Sequence, residues 1–119
     1  MKILVVDDST INNILLQDFL ESHKYEVHTS LDGREALTLI DTIKPDLILL
    51  DIMMPGISGF DVLNNMKQND IKIPAIIISA YNNKEKKDLA LSLGACDYIV
   101  KPINFDILLK LVNKFNKDL

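Results

Sequence analysis

Leu47-Ile48-Leu49-Leu50-Asp51, continuing into Ile52-Met53-Met54-Pro55-Gly56, is the stretch on which the reading of this chain turns. Four apolar residues stop at a carboxylate, and a Pro-Gly turn signal follows. A short apolar run without alternation suits a strand buried on both faces, which is what a parallel sheet needs. The same shape recurs on either side. Residues 3–6 end at Asp7, residues 75–78 end at Ser79, and the shorter run 98–100 ends at Lys101. Glu26–Ser30 is more polar and reads as an edge strand.

Between these runs the apolar period becomes helical. Ala36, Leu39, Ile40 and Ile43 fall at i, i+3, i+4 and i+7, as do Leu108, Leu111, Val112 and Phe115, and both sets predict core-facing stripes. Ile11, Leu15 and Phe19 mark a helix after the first strand, with Ser9 or Thr10 as its N-cap. Phe60, Leu63 and Lys67, flanked by Val62 and Met66, mark another. Residues 82–93 are the least periodic and run into Gly94, a good C-cap residue, so this helix is expected to be the most weakly held. Five strands thus alternate with five helices over residues 1–119. That order predicts one α/β domain with a parallel sheet and right-handed crossovers.

Size and charge narrow the function. At 119 residues the chain is one domain's length and can bury a core without staples. Its single cysteine, Cys96, excludes an internal disulfide and fits a reducing compartment. A packed, inert thiol is the expected state of Cys96. No apolar run approaches the roughly 20 residues that span a bilayer, and the first strand turns acidic too soon for a signal peptide, so a cytoplasmic location without membrane contact is expected. Residues 1–83 carry six basic and twelve acidic side chains, against seven and five in residues 84–119. The acidic part disfavours nucleic-acid binding, and the mildly basic remainder reads as a solvated helical face or a protein-docking surface. His23 and His28 are isolated and lack the spacing of a transition-metal site.

In doubly wound sheets ligands bind outside the carboxyl ends of the strands. Here those ends carry Asp7-Asp8, Asp51, Ser79 and Lys101-Pro102. Carboxylates this close repel one another, and a hard divalent cation, Mg²⁺ or Mn²⁺, relieves the repulsion. A carboxylate can also be a nucleophile that forms an aspartyl-phosphate. A lysine would then neutralise phosphoryl oxygens while a hydroxyl donates to one of them, and Lys101 and Ser79 supply those groups. The Lys101-Pro102 bond is a candidate cis peptide in a tight turn.

These residues, in this order, resemble a two-component response-regulator receiver domain over essentially the whole chain. The matching pieces are Asp7-Asp8, Asp51 with Met53-Met54-Pro55-Gly56 and Gly59, Ser79-Ala80, and Gly94-Ala95-Cys96-Asp97-Tyr98-Ile99-Val100-Lys101-Pro102. The resemblance implies a flavodoxin-like doubly wound sheet of order 2-1-3-4-5. It implies a phosphoryl group taken by Asp51 from a histidine kinase or histidine phosphotransfer protein. It also implies Mg²⁺ on Asp8, Asp51 and the Met53 backbone carbonyl, with Asp7 acting largely through water. Ser79 and Tyr98 would form the switch, repacking the surface of helix four, strand five and helix five, where a downstream protein, a fused output domain or a second copy docks. A plainer role for Tyr98 is a half-buried strand aromatic with its hydroxyl in water. Two departures stand out. Serine stands at position 79 where many relatives have threonine, and the resemblance implies that the bulky Met53 and Tyr81 would flank the route of attacking water and slow loss of the phosphoryl group.

Rival readings are a Mg²⁺-dependent small-molecule phosphatase or phosphotransferase, a flavodoxin-like cofactor binder and a receiver-shaped scaffold that is never phosphorylated. Against the first, no Asp stands two residues after Asp51 to act as acid; against the second, no Gly-rich phosphate loop follows strand one. The full acidic set argues against the third. The expected role is therefore that of a signalling domain which assists its own phosphorylation and dephosphorylation, and not of an enzyme. It is either a stand-alone protein or one domain of a larger one.

Overall fold

The computed structural model describes residues 1–117. Five strands and five helices alternate as β1 (Lys2–Val6), α1 (Thr10–Ser22), β2 (Glu26–Ser30), α2 (Gly33–Ile43), β3 (Leu47–Asp51), α3 (Gly59–Gln68), β4 (Ala75–Ser79), α4 (Lys84–Ser92), β5 (Asp97–Val100) and α5 (Phe105–Asn113). The sheet order is β2-β1-β3-β4-β5 and every pairing is parallel, as the alternation of elements predicts.

The period-2 geometry of the central strands divides the core into two layers. Leu4, Val6, Ile48, Leu50, Ala75 and Ile77 pack under α2, α3 and α4 through Ala36, Ile40, Val62, Leu63, Met66 and Ala90. Ile3, Val5, Leu47, Leu49, Ile76 and Ile78 pack under α1 and α5 through Leu16, Leu20, Leu108 and Val112. Each residue of β3 and β4 is buried, which accounts for the unbroken apolar runs. The register sets Asp51 beside Ile78 and Ser79 beside Val100, so the polar strand ends lie along one edge.

Helix entry is fixed by side-chain caps. Ser9 caps α1, Asp32 α2, Asn83 α4 and Asn104 α5, while Ser58 and Asp61 form a reciprocal capping box on α3. Of the row that marks α1, Phe19 packs partly against the core but the other two residues do not. Ile11 and Leu15 are 70% and 53% exposed, and Asn13, Leu16 and Leu20 face inward. Asn13 sets that rotation, because its amide serves the carbonyls of Asp7 and Ser30. As expected, α4 is thinly held and buries Ala90 alone. Its chain turns at Gly94, whose φ of 104° favours glycine.

Cys96 departs from its expected packed state. The thiol is free and exposed. Buried Ala95 precedes it and its backbone N–H bonds the Ala75 carbonyl, so alternation turns its side chain outward. It lies at the mouth of a cavity of about 360 Å³ shared with Met66, Ile71, Ile73 and Pro74.

Close approach governs the start of α3. A Cβ on Gly59 would fall on the Asp51 carbonyl oxygen and lie 2.8 Å from the Ile52 Cα. The Gly59 N–H meanwhile bonds the Ile52 carbonyl. Gly59→Ala is therefore expected to lower unfolding stability in urea by about 1–3 kcal/mol, the usual cost of overfilling a packed site.

Candidate functional site

The apolar strands deliver their polar ends into a common pocket. Asp7 follows β1 and is 2% exposed; Asp51 ends β3 and is 5% exposed. Asp8 beside them is exposed. One carboxylate oxygen from each of these three residues lies within 4.8 Å of the others. The anticipated acidic cluster is thus brought together.

Lys101 reaches this cluster from the end of β5. Its Nζ donates to Asp7 Oδ2 at 2.9 Å and to Asp51 Oδ2 at 3.1 Å. The Lys101-Pro102 peptide is cis, and the Lys101 N–H bonds the Ser79 carbonyl at 2.8 Å. Ser79 is fully buried, and its Oγ accepts a hydrogen bond from the Tyr81 N–H at 3.1 Å. The Met53 N–H donates to Asp51 Oδ1 at 3.0 Å. The Tyr98 hydroxyl is not left to water; it donates to the Tyr81 carbonyl at 2.9 Å.

The charges do not balance. Three carboxylates face one ammonium. Burial pushes the Asp51 carboxyl above its ordinary range, against the Met53 N–H and Lys101, and the nearby Asp7 charge adds to the rise. For Lys101, burial works to lower the ammonium, but hydrogen bonds to Asp7 and Asp51 outweigh it and the net direction is upward. Lys101 therefore stays charged between two carboxylates.

Asp7 and Asp8 have different freedom. Asp7 Oδ1 accepts from the Ser9 N–H, and its Oδ2 accepts from both Lys101 and the Asn12 amide. Asp8 projects from the turn between β1 and α1 into the open.

Two residues of this region escaped the sequence reading. Asn12 donates to Asp7 Oδ2 at 3.3 Å. Asn13, 4% exposed, clamps the Asp7 and Ser30 carbonyls at 2.9 and 3.1 Å, and among the described residues its Oδ1 meets no hydrogen-bond partner. The signal was an amide pair interrupting an Ile/Leu-rich helix, and an orphan acceptor of this kind is uncommon in a core.

Comparison with known proteins bears on this pocket. The family model for the response regulator receiver domain matches residues 3–113. The alkaline phosphatase synthesis transcriptional regulatory protein PhoP of Bacillus subtilis is 44% identical over 103 residues, covering 87% of this chain and 43% of that protein. The chain thus spans less than half of that relative. Sporulation initiation phosphotransferase F of Bacillus subtilis is 34% identical over 114 residues, covering 96% of this chain and 92% of that one. The structure of the response regulator protein TrrA from Thermotoga maritima in complex with Mg²⁺-BeF superposes with a TM-score of 0.87 at 36% identity, covering 97% of this chain and 98% of that one.

The burial of Asp51 has a measurable consequence for stability. Folding raises its pKa, so the ionised form opposes folding. That opposition is absent below the unfolded-state pKa and fully present once pH exceeds the folded-state value. Asp51→Asn is accordingly expected to raise Tm at pH 7 in metal-free buffer by roughly 2–5 °C. The gain should shrink as pH falls through the carboxylate range. A thermal melt series against pH checks both the sign and the trend.

Proposed function

The chain belongs to the response regulator receiver domain family, and from that premise we propose that Asp51 is its phosphoacceptor. One observation carries the reading: a single ammonium, Lys101, spans the buried Asp7 and Asp51 at adjoining strand ends, with the buried Ser79 hydroxyl alongside. Aspartate phosphorylation and Mg²⁺ binding are general features of this family.

Mg²⁺ fits this donor set, because hard carboxylate oxygens cluster and, among the described residues, Lys101 is the one cation ion-paired with them. Asp8 and Asp51 would hold the ion together with the Met53 carbonyl. Asp7 acts largely through water, in keeping with its commitment to Lys101, Asn12 and the Ser9 N–H. When bound, Mg²⁺ neutralises charge on the phosphoryl oxygens; Mn²⁺ would serve similarly.

The chain's own groups do the rest. An Asp51 Oδ attacks the phosphorus of a phosphohistidine on a histidine kinase or phosphotransfer protein. The P–N bond breaks and its electron pair stays with the departing imidazole. Lys101 then pairs with the phosphoryl group and Ser79 Oγ donates to it. No external substrate is turned over, so the domain signals and assists only its own gain and loss of the group.

The readout passes through Tyr81. Its N–H rests on Ser79 and its carbonyl holds the Tyr98 hydroxyl. Recruitment of Ser79 to the phosphoryl group disturbs both contacts and repacks the face made by α4, β5 and α5. A downstream protein, a fused output domain or a second copy reads that face. Among the described residues no helix is long and apolar enough to cross a membrane. A cytoplasmic place remains the proposal, with no direct nucleic-acid contact by this domain.

Treatment with acetyl phosphate and Mg²⁺ followed by intact mass is expected to show one added phosphoryl group on the parent and none on Asp51→Asn. Addition to the variant would refute Asp51 as acceptor. The joint substitution Met53→Ala with Tyr81→Ala is expected to shorten the phosphoryl lifetime. A lifetime unchanged from the parent would sink the idea that these two side chains obstruct water.

A further inference from the structure

Lys86 occupies an unusual position for a helix-surface lysine. It is half-buried, whereas Lys84 on the same helix is exposed. Its Nζ lies 4.8 Å from the centroid of the Tyr81 ring and 5.7 Å from that of Phe60. Both distances are within reach of cation–π attraction. Among the described residues no carboxylate forms an ion pair with it. Its ammonium lies over both rings.

The rings come from two neighbouring segments, after β3 and after β4. Phe60 follows Gly59, which is pressed on the Asp51 carbonyl. Tyr81 stands two residues beyond Ser79 and is tied to its hydroxyl through the backbone N–H. Lys86 therefore joins the β3–α3 side of the pocket to the β4–α4 side. The start of α4 is also held by the Asn83 cap on the Lys86 N–H and by Lys87 over the Tyr98 ring, while its buried contribution, Ala90, comes a turn and more further on.

We propose that Lys86 is a positioning residue for loss of the phosphoryl group, its ammonium clasping the Tyr81 ring toward Phe60 so that the ring stays across the water route to Asp51. The proposal rests on the reading of Asp51 as phosphoacceptor and of Tyr81 as a screen. In the step concerned, a water oxygen bonds to phosphorus while the bond from phosphorus to the Asp51 Oδ breaks. The bonding pair returns to the Asp51 carboxylate, and both water protons leave on dihydrogen phosphate. Lys86 touches none of these atoms; it sets how often the ring is out of the way.

The test follows decay of the phosphorylated protein by intact mass after acetyl phosphate is removed, with Mg²⁺ kept constant. The proteins are the parent, Tyr81→Ala, Lys86→Met, Lys86→Arg, Lys84→Met and the pair Lys86→Met with Tyr81→Ala. Lys86→Met is expected to decay about two- to fivefold faster than the parent, the scale of a partly exposed cation–π contact. Lys86→Arg, which keeps a cation on the rings, should restore the parental lifetime. Lys84→Met removes the same charge away from the rings and should match the parent. The pair should decay no faster than Tyr81→Ala alone, because the clasp acts only through that ring.

Decay of Lys86→Met at the parental rate while Tyr81→Ala decays faster overturns the clasp and leaves the screen standing. Equal acceleration by Lys84→Met and Lys86→Met overturns it too, since bulk charge would then suffice. Parental decay in Tyr81→Ala removes the screen and the clasp together. Failure of the parent to gain a phosphoryl group defeats the phosphoacceptor reading itself. A thermal melt of each variant separates faster chemistry from lost folding.

Discussion

The structure depends on holding like charge together out of water. Asp7 and Asp51 are both nearly inaccessible and both accept from the same ammonium. Buried ion pairs are often no more stabilising than apolar residues of similar volume, and Asp51 carries a cost of burial that its partners do not fully offset. The sheet makes the arrangement possible. Its inner strands are apolar throughout and stop at polar residues in register, so the entropy of bringing the groups together is already spent by the core. The caps and the Asn13 clamp then hold the turn that carries Asp7 and Asp8.

The fold was legible because burial on both faces leaves a distinctive trace. The runs before Asp7, Asp51 and Ser79 are short, apolar and without alternation, the pattern that strands of a sheet covered on both sides leave. The stripes of α2 and α5 were plain too, since Ala36, Leu39 and Ile40 and Leu108, Leu111, Val112 and Phe115 do pack inward, although Ile107 of α5 is left exposed. In α1 several faces are apolar: Ile11, Ile14 and Leu15 compete with Leu16 and Leu20. What decides between them is a hydrogen bond from Asn13 to two distant carbonyls, a tertiary fact with no periodic signature. Cys96 was misjudged for a related reason. Thiols are usually buried, but strand alternation one residue before β5 overrode that preference.

The candidate site was legible to the same degree as the strand ends that build it. Asp7, Asp8, Asp51, Ser79 and Lys101 could be named because each terminates or follows an apolar run. The contacts that tune them could not. Asn12 on Asp7, the Tyr81 backbone between Ser79 and Tyr98, and the Lys86 ammonium between two rings all join residues from separate elements. Their partners are set by how α1 and α4 lie on the sheet, and neither helix announces that placement in its own sequence.

The absence of a side chain at Gly59 makes the pocket mechanically lopsided. On that flank the α3 backbone is seated on the Asp51 carbonyl with no slack, so this wall acts as a fixed anvil. The opposite wall runs through Ser79 and Tyr81 into a helix that contributes one alanine to the interior. A push at the carboxylate would therefore move the wall that can yield further than the one that cannot.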